Sequence, residues 1–210
     1  QKTAYEIRNC DWSSDVCSSD LAWKVTDENG RALQSKKSTK DAWLVDTAGA
    51  SVIELSYEYY AAELNAGSSF LDEDQLYINP VNCFFYDAEN AGLPYHITLD
   101  VPANYRVATG MKKLSDHVLV ASSFDELADC PLIASPTLRL LQYEVAGIRF
   151  HIWIQGEVNL NEARLLHDFE AFTQAQMDLF GDIPCSEYHF LYQFVAYYHR
   201  HGVERSEEHT

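Results

Sequence analysis

The chain has 210 residues, 47% hydrophobic and 13% aromatic, with a formal net charge of −17. That composition belongs to folded protein of about one large domain rather than to a disordered chain. The negative balance argues against nucleic-acid binding and an anionic membrane surface, and no window is long and apolar enough to span a bilayer.

The first residue is Gln1, and no signal-peptide apolar region follows it, so the start reads as that of a fragment. The cysteines, Cys10, Cys17, Cys83, Cys130 and Cys185, form no CxxC pair and no zinc-finger spacing. Scattered single cysteines are usually buried small hydrophobes in a reducing compartment, which slightly favours the cytoplasm.

Residues 10–21, CDWSSDVCSSDL, contain a tandem near-repeat without hydrophobic periodicity, and residues 205–210 read RSEEHT. Both resemble translated sequencing adapter. One coding of RSEE is AGATCGGAAGAG, and its reverse complement read in another frame gives Ser-Ser-Asp. Cys10, Cys17 and His209 therefore carry no functional weight, and residues 1–21 form a partly artefactual segment.

From residue 22 the signals are β. AWKVTDE runs into Asn29-Gly30, a hairpin signal because both positions tolerate positive φ. A short strand is expected over 42–45. A long half-buried strand is expected over 51–63, where Ile53, Leu55, Tyr57 and Tyr59 alternate with Glu54, Ser56 and Glu58. Residues 65–82 read as a punctuated loop. Its acidic trio Asp72, Glu73, Asp74 lacks the later Gly and Glu of a calcium loop and suits a solvated turn.

Further strands are expected at 83–86, 96–101, 105–109 and 118–121. Ser123 and Glu126 have capping-box spacing and open a helical turn through Leu127, stopped before Pro131. Residues 138–145 and 148–154 flank Ala146-Gly147 as a hairpin. Many short strands argue for a sandwich-like β domain over residues 22–157.

Residues 161–180 then place Leu165, Leu166, Phe169, Phe172 and Leu179 at helical spacing, with Gly181 and Pro184 as stop signals. The aromatic run from Glu187 reads as a strand. It leads into a turn bearing His199, His201, Gly202 and Glu204. A second unit is thus expected over 158–204, and 205–210 is an adapter-like tail.

No catalytic constellation is complete: there is no His-Glu-x-x-His helix, nucleophile elbow, phosphate loop or dinucleotide fingerprint. His96, His117, His151 and His167 sit singly in strand or helix patterns and read as structural or surface residues. No metal ligand set is assigned. Cys83, Cys130 and Cys185 show no neighbouring base and read as structural thiols.

Several ordered segments carry a family resemblance: YYAAELNAGSSFLDEDQLYINPVNCFFY (59–86), NYRVATGMKK (104–113), FDELADCPLIASPT (124–137), FHIWIQGE (150–157), and 188–204 with its closing HGVE. YEIRN (5–9) adds a segment upstream of the insert. Together they resemble the N-terminal half of the glycyl aminopeptidase-type zinc metallopeptidases, bacterial gluzincins that often carry a PDZ domain. The resemblance implies a sandwich-like, mainly β N-terminal domain. A truncated α+β thermolysin-like start follows it, with one long helix and one or two strands.

The same resemblance implies a His-Gly-Val/Leu-Glu-His segment, matched here by His201-Gly202-Val203-Glu204 until Arg205 replaces the final His. In related aminopeptidases that glutamate holds the substrate's free α-ammonium. Glu204, with Gly202 beside it, is accordingly the substrate-binding candidate, and the implied partner is a peptide N-terminus. No catalytic residue is present and no cofactor is expected in this chain, whereas zinc is expected in the intact parent. The alternative is a non-catalytic β-sandwich binding module with Tyr57, Tyr59, Tyr60 and Trp153 as stacking residues. That module would be complete by about Gly156 and followed by a disordered tail.

Overall fold

The computed structural model describes residues 4–9, 23–181, 183–195 and 202. Its first strands are β1 (Ala4–Asn9), β2 (Lys24–Asp27), β3 (Gln34–Lys37), β4 (Ala42–Asp46), β5 (Ile53–Ser56), β6 (Phe70–Leu71) and β7 (Leu76–Ile78). A one-turn helix, α1 (Pro80–Cys83), precedes β8 (Phe85–Asp87), β9 (Tyr95–Thr98), β10 (Arg106–Thr109), β11 (Lys112–Ser115) and β12 (Val118–Ala121). Next come α2 (Phe124–Asp129), β13 (Leu132–Ser135), β14 (Arg139–Val145) and β15 (Ile148–Gln155). The last described elements are a long helix, α3 (Glu162–Phe180), and β16 (Glu187–Gln193). This is the expected mainly β fold closed by one long helix and a strand.

The strands form small open sheets ordered β3-β4-β1-β8, β10-β13-β7-β6, β11-β12-β9, β14-β15-β16 and β2-β5. β1 lies between β4 and β8, antiparallel to both. Residues before the adapter-like insert therefore share a sheet with residues well beyond it. The two adapter-like stretches, 10–21 and 205–210, lie outside the described residues.

Turn chemistry explains where several strands stop. At Asn29-Gly30 the Asp27 carboxylate accepts the backbone N–H of Asn29 (3.0 Å) and Arg31 (2.8 Å), and Gly30 takes φ 77°. The returning arm is only a Thr26–Ala32 bridge, and the main partner of β2 is β5. The long strand expected over 51–63 is also shorter. Half-buried and exposed residues alternate from Ile53 to Tyr60, but the ladder ends at Ser56. Beyond it the Tyr57 hydroxyl donates to the Cys83 carbonyl, so that side chain is tied to α1 rather than to a strand partner.

The expected loop at 65–82 contains β6, β7 and α1. Each is too short to show a period, which is why the sequence reads as loop. Asp72 forms a turn there by accepting from the N–H of Asp74 and Gln75. At α2, Ser123 Oγ caps the Glu126 N–H (3.2 Å), whereas the Glu126 carboxylate reaches back to the Ser122 N–H (2.6 Å). The capping box is therefore displaced by one residue. The helix runs on to Asp129 before Pro131.

The main β core gathers Val107, Leu119, Ala121, Phe124, Leu127, Leu132 and Ala134, all at most 2% exposed. The expected 138–154 hairpin is present: Val145 faces Ile148 across Ala146 (φ 51°) and Gly147 (φ 82°). Two successive positive φ values are what a tight primed turn requires.

Asn161 Oδ1 caps α3 by accepting the Arg164 N–H, and Gly181 (φ 91°) ends it. Leu165, Leu166, Phe169 and Met177 pack onto Tyr143, Phe150, Ile152 and Ile154 of the β14-β15-β16 sheet. Phe172 and Leu179 do not join that face and are 53% and 76% exposed. At 100° per residue both point to one side of the Leu165–Phe169–Thr173 line. β16 runs parallel to β15, so β15, α3 and β16 make one β-α-β crossover. The 157/158 position thus falls inside a continuous sheet-and-helix unit. The ordered helix and strand are not the disordered tail that the binding-module reading requires.

Candidate functional site

Register decides what the β15–β16 pair presents. Phe150–Tyr188, Ile152–Phe190 and Ile154–Tyr192 form one set of partners, and these residues pack toward α3. Arg149–Glu187, His151–His189, Trp153–Leu191 and Gln155–Gln193 form the alternate set. Side chains alternate in a strand, so the second set shares the opposite face. There Trp153 and Leu191 pack against Tyr77, Ala108, Ile133 and Leu138. Gln193 Nε2 donates to Gln75 Oε1 at 2.6 Å.

Along this polar face lies a chain of contacts. Arg149 Nη1 is 3.0 Å from Glu187 Oε1. Glu187 Oε2 is 3.5 Å from His151 Nε2 and 3.9 Å from His189 Nε2. The two imidazoles are stacked, centroids 4.3 Å apart and planes 6° from parallel. Trp153 Nε1 donates to His189 Nδ1 (3.2 Å), and the Gln142 amide lies 3.1 Å from His151 Nδ1. Two cations cover the indole, Arg106 Cζ at 5.6 Å and Lys113 Nζ at 5.2 Å from the ring centroid.

Burial dominates the titration of these groups. It pushes His189 down to about 4, helped by nearby His151 and Lys113. It also lowers His151, against the opposing pull of Glu187. Burial holds Lys113 below the ordinary lysine value, with Arg106 adding to the effect. Both imidazoles are therefore neutral at pH 7. Among the described residues, neither buried His151 Nε2 nor buried Gln155 Oε1 has a hydrogen-bond partner.

The residues singled out from sequence fare unevenly. Glu204, His199 and His201 lie outside the described residues, and Gly202 is exposed with open space around it. Trp153 is 6% exposed and Tyr60 is 85% exposed, so the proposed stacking residues do not form one platform. Cys83 contacts Ser69 Oγ at 3.0 Å, and burial pushes its thiol up to about 11. Burial pushes Cys130 up to about 12 and raises Cys185. These are the properties of structural thiols.

His151 does not stand singly: it forms a cluster with Glu187 and His189 that the sequence reading missed. Their ligand atoms all lie within 4.8 Å of one another. Only the parallel register, bridging 38 positions between His151 and His189, brings them together. The catalytic zinc implied by the family resemblance does not fit this set. It is carried on two strands, not on a His-Glu-x-x-His helix, and it offers no free carboxylate as general base.

The β-rich domain extended by a β-α-β unit is a fold found in larger solved structures. A structure described as an aminopeptidase N family protein from Idiomarina loihiensis matches at TM-score 0.80 and 23% identity, covering 91% of this chain and 34% of that one. A variant of the M1 zinc metallopeptidase from Deinococcus radiodurans matches at TM-score 0.50 and 11% identity, covering 89% of this chain and 48% of that one. The chain therefore spans between a third and a half of these solved structures. A search of curated proteins found no match.

The family model described as the Peptidase M61 N-terminal domain matches residues 21–136. The chain belongs to that family.

Proposed function

We propose that this chain is the N-terminal portion of a zinc-dependent aminopeptidase, supplying the β-rich domain and the first wall of the substrate cleft. The observation that carries this reading is the family match over 21–136, followed at once by a docked β-α-β unit. We place the second unit's start near β14 rather than at 158, because β14 and β15 share a sheet with β16. An apolar surface supports the same reading. Phe172, Leu179 and Phe180 on α3 and Tyr192 and Phe194 at the end of β16 are all exposed. Such a surface suits the seat of further domain structure.

In this reading Glu204 is the amine anchor. An exopeptidase discriminates a chain end by its charge, and a fixed carboxylate gives the α-ammonium a charge-assisted hydrogen bond. Zinc belongs to the intact enzyme, where it would activate water and polarise the scissile carbonyl. The 210-residue chain has no His-Glu-x-x-His sequence and is inactive by itself. Reading the gene beyond the Glu204 codon tests the proposal: an in-frame His-Glu-x-x-His is expected downstream. A continuous reading frame without one supports a binding module instead.

A further inference from the structure

We propose that His151, Glu187 and His189 bind one borderline transition-metal ion of the Zn²⁺ class, which fastens β15 to β16. Donor atoms in a tetrahedral zinc sphere stand about 3.3 Å apart, given bonds of about 2.0–2.1 Å. The spacings of 3.5 Å and 3.9 Å from Glu187 Oε2 to the two imidazole Nε2 atoms approach that value. Glu187 is already divided between two tasks. Oε1 is engaged by Arg149, and Oε2 faces both imidazoles. Two imidazoles and a carboxylate select Zn²⁺, Co²⁺, Ni²⁺ or Cu²⁺ over Mg²⁺ and Ca²⁺.

His151 is the prepared ligand. Its residue is 8% exposed, and its Nε2 lies 3.5 Å from Glu187 Oε2 and makes no hydrogen bond among the described residues. The Gln142 amide at Nδ1 needs only its oxygen turned inward to accept an Nδ1–H. That tautomer leaves the Nε2 lone pair free for a metal, the usual outer-shell arrangement of a ligating histidine.

His189 is the moving ligand. Its plane is parallel to that of His151, so the two Nε2 atoms do not aim at one shared point as they stand. Trp153 can only donate, and its bond to Nδ1 places the His189 proton on Nε2. Ligation therefore requires the His189 ring to turn and release Trp153. The indole is both a brake on metal binding and its reporter. The cations Arg149, Lys113 and Arg106 around the site oppose a dication, so affinity is moderate.

The test uses the full 210-residue chain stripped with chelator and titrated with Co²⁺ and Zn²⁺. Expected are visible Co²⁺ d–d bands of a tetrahedral site saturating at one equivalent, a matched change in tryptophan fluorescence, and a melting temperature raised several degrees by Zn²⁺ but not by Mg²⁺. Glu187→Gln, at a half-exposed position, weakens binding by about tenfold or more. Trp153→Phe removes the competing donor and tightens binding by about fivefold, the equivalent of one ordinary hydrogen bond. His167→Gln on α3 leaves the titration unchanged. Absence of tetrahedral bands overturns the proposal. Bands of undiminished affinity in both Glu187→Gln and His151→Gln, with either variant's melting transition still cooperative, overturn it equally.

Discussion

His151 and His189 are register partners on parallel strands, and their imidazoles lie face to face at 4.3 Å. The contact suits two neutral rings, and burial keeps both neutral. For each histidine the folded value lies below the unfolded one, so the unfolded chain binds more protons on acidification. Stability from this pair is complete above about pH 6.5 and is lost as pH falls toward 4. Urea unfolding of chelator-treated protein should show a loss on the order of 2 kcal/mol across that window, after allowance for partial solvent screening. His189→Asn should flatten the profile there, and an unchanged slope would contradict the burial argument.

Gly156 is required by its neighbour. It takes φ 92°, and a Cβ at this position would meet the carbonyl oxygen of Phe194. The Phe194 N–H also donates to the Gln155 carbonyl at 2.9 Å, fixing that approach. Gly156→Ala should destabilise the protein by about 2–4 kcal/mol, from left-handed strain and overpacking together. Chemical denaturation measures it, and a loss below about 0.5 kcal/mol would mean the backbones are not held this closely.

Cys83 and Cys130 should resist alkylation. With thiols raised to about 11 and about 12, little thiolate exists at pH 8. Peptide mapping after iodoacetamide treatment should find both unmodified in native protein and both labelled after unfolding. Rapid native labelling of either would show that its burial is wrong.

The exposed stripe of α3 should be dispensable for the fold of this chain. Phe172→Ser with Leu179→Ser should reduce dye binding by exposed apolar surface and reduce self-association. Stability should change by no more than about 1 kcal/mol, since neither side chain is in the core. A large loss of stability would place these residues in packing rather than on an open face.

Local signals in the sequence were legible where one residue dictates one conformation. Asn161 and Gly181 bound α3, Ser123 opens α2, and Ala146-Gly147 turns the β14–β15 hairpin. The β6–β7 region was not legible, because two- and three-residue strands show no period. The stop of β5 at Ser56 depends on Tyr57 reaching Cys83, a contact across 26 positions. The His151–Glu187–His189 cluster is hidden for the same reason. His151 sits alone in β15, Glu187 and His189 stand two residues apart in β16, and only pairing through the α3 crossover brings the two strands together. The histidine-rich turn marked Glu204 as a candidate, its amine-anchoring role came from resemblance alone, and it lies outside the described residues.

On the proposed reading the uninterrupted gene product continues past Glu204, and that product, free of the 10–21 and 205–210 stretches, offers the most direct test. Its hydrolysis of glycyl and alanyl p-nitroanilides should be measured before and after chelation and zinc readdition, beside the 210-residue chain. Turnover by the long protein is expected to disappear with chelator and return with zinc, and Glu204→Gln is expected to raise KM for the free-amine substrate. The 210-residue chain is expected to show no turnover in any condition. Hydrolysis by the 210-residue chain, or metal-independent turnover by the long one, would contradict the proposed function.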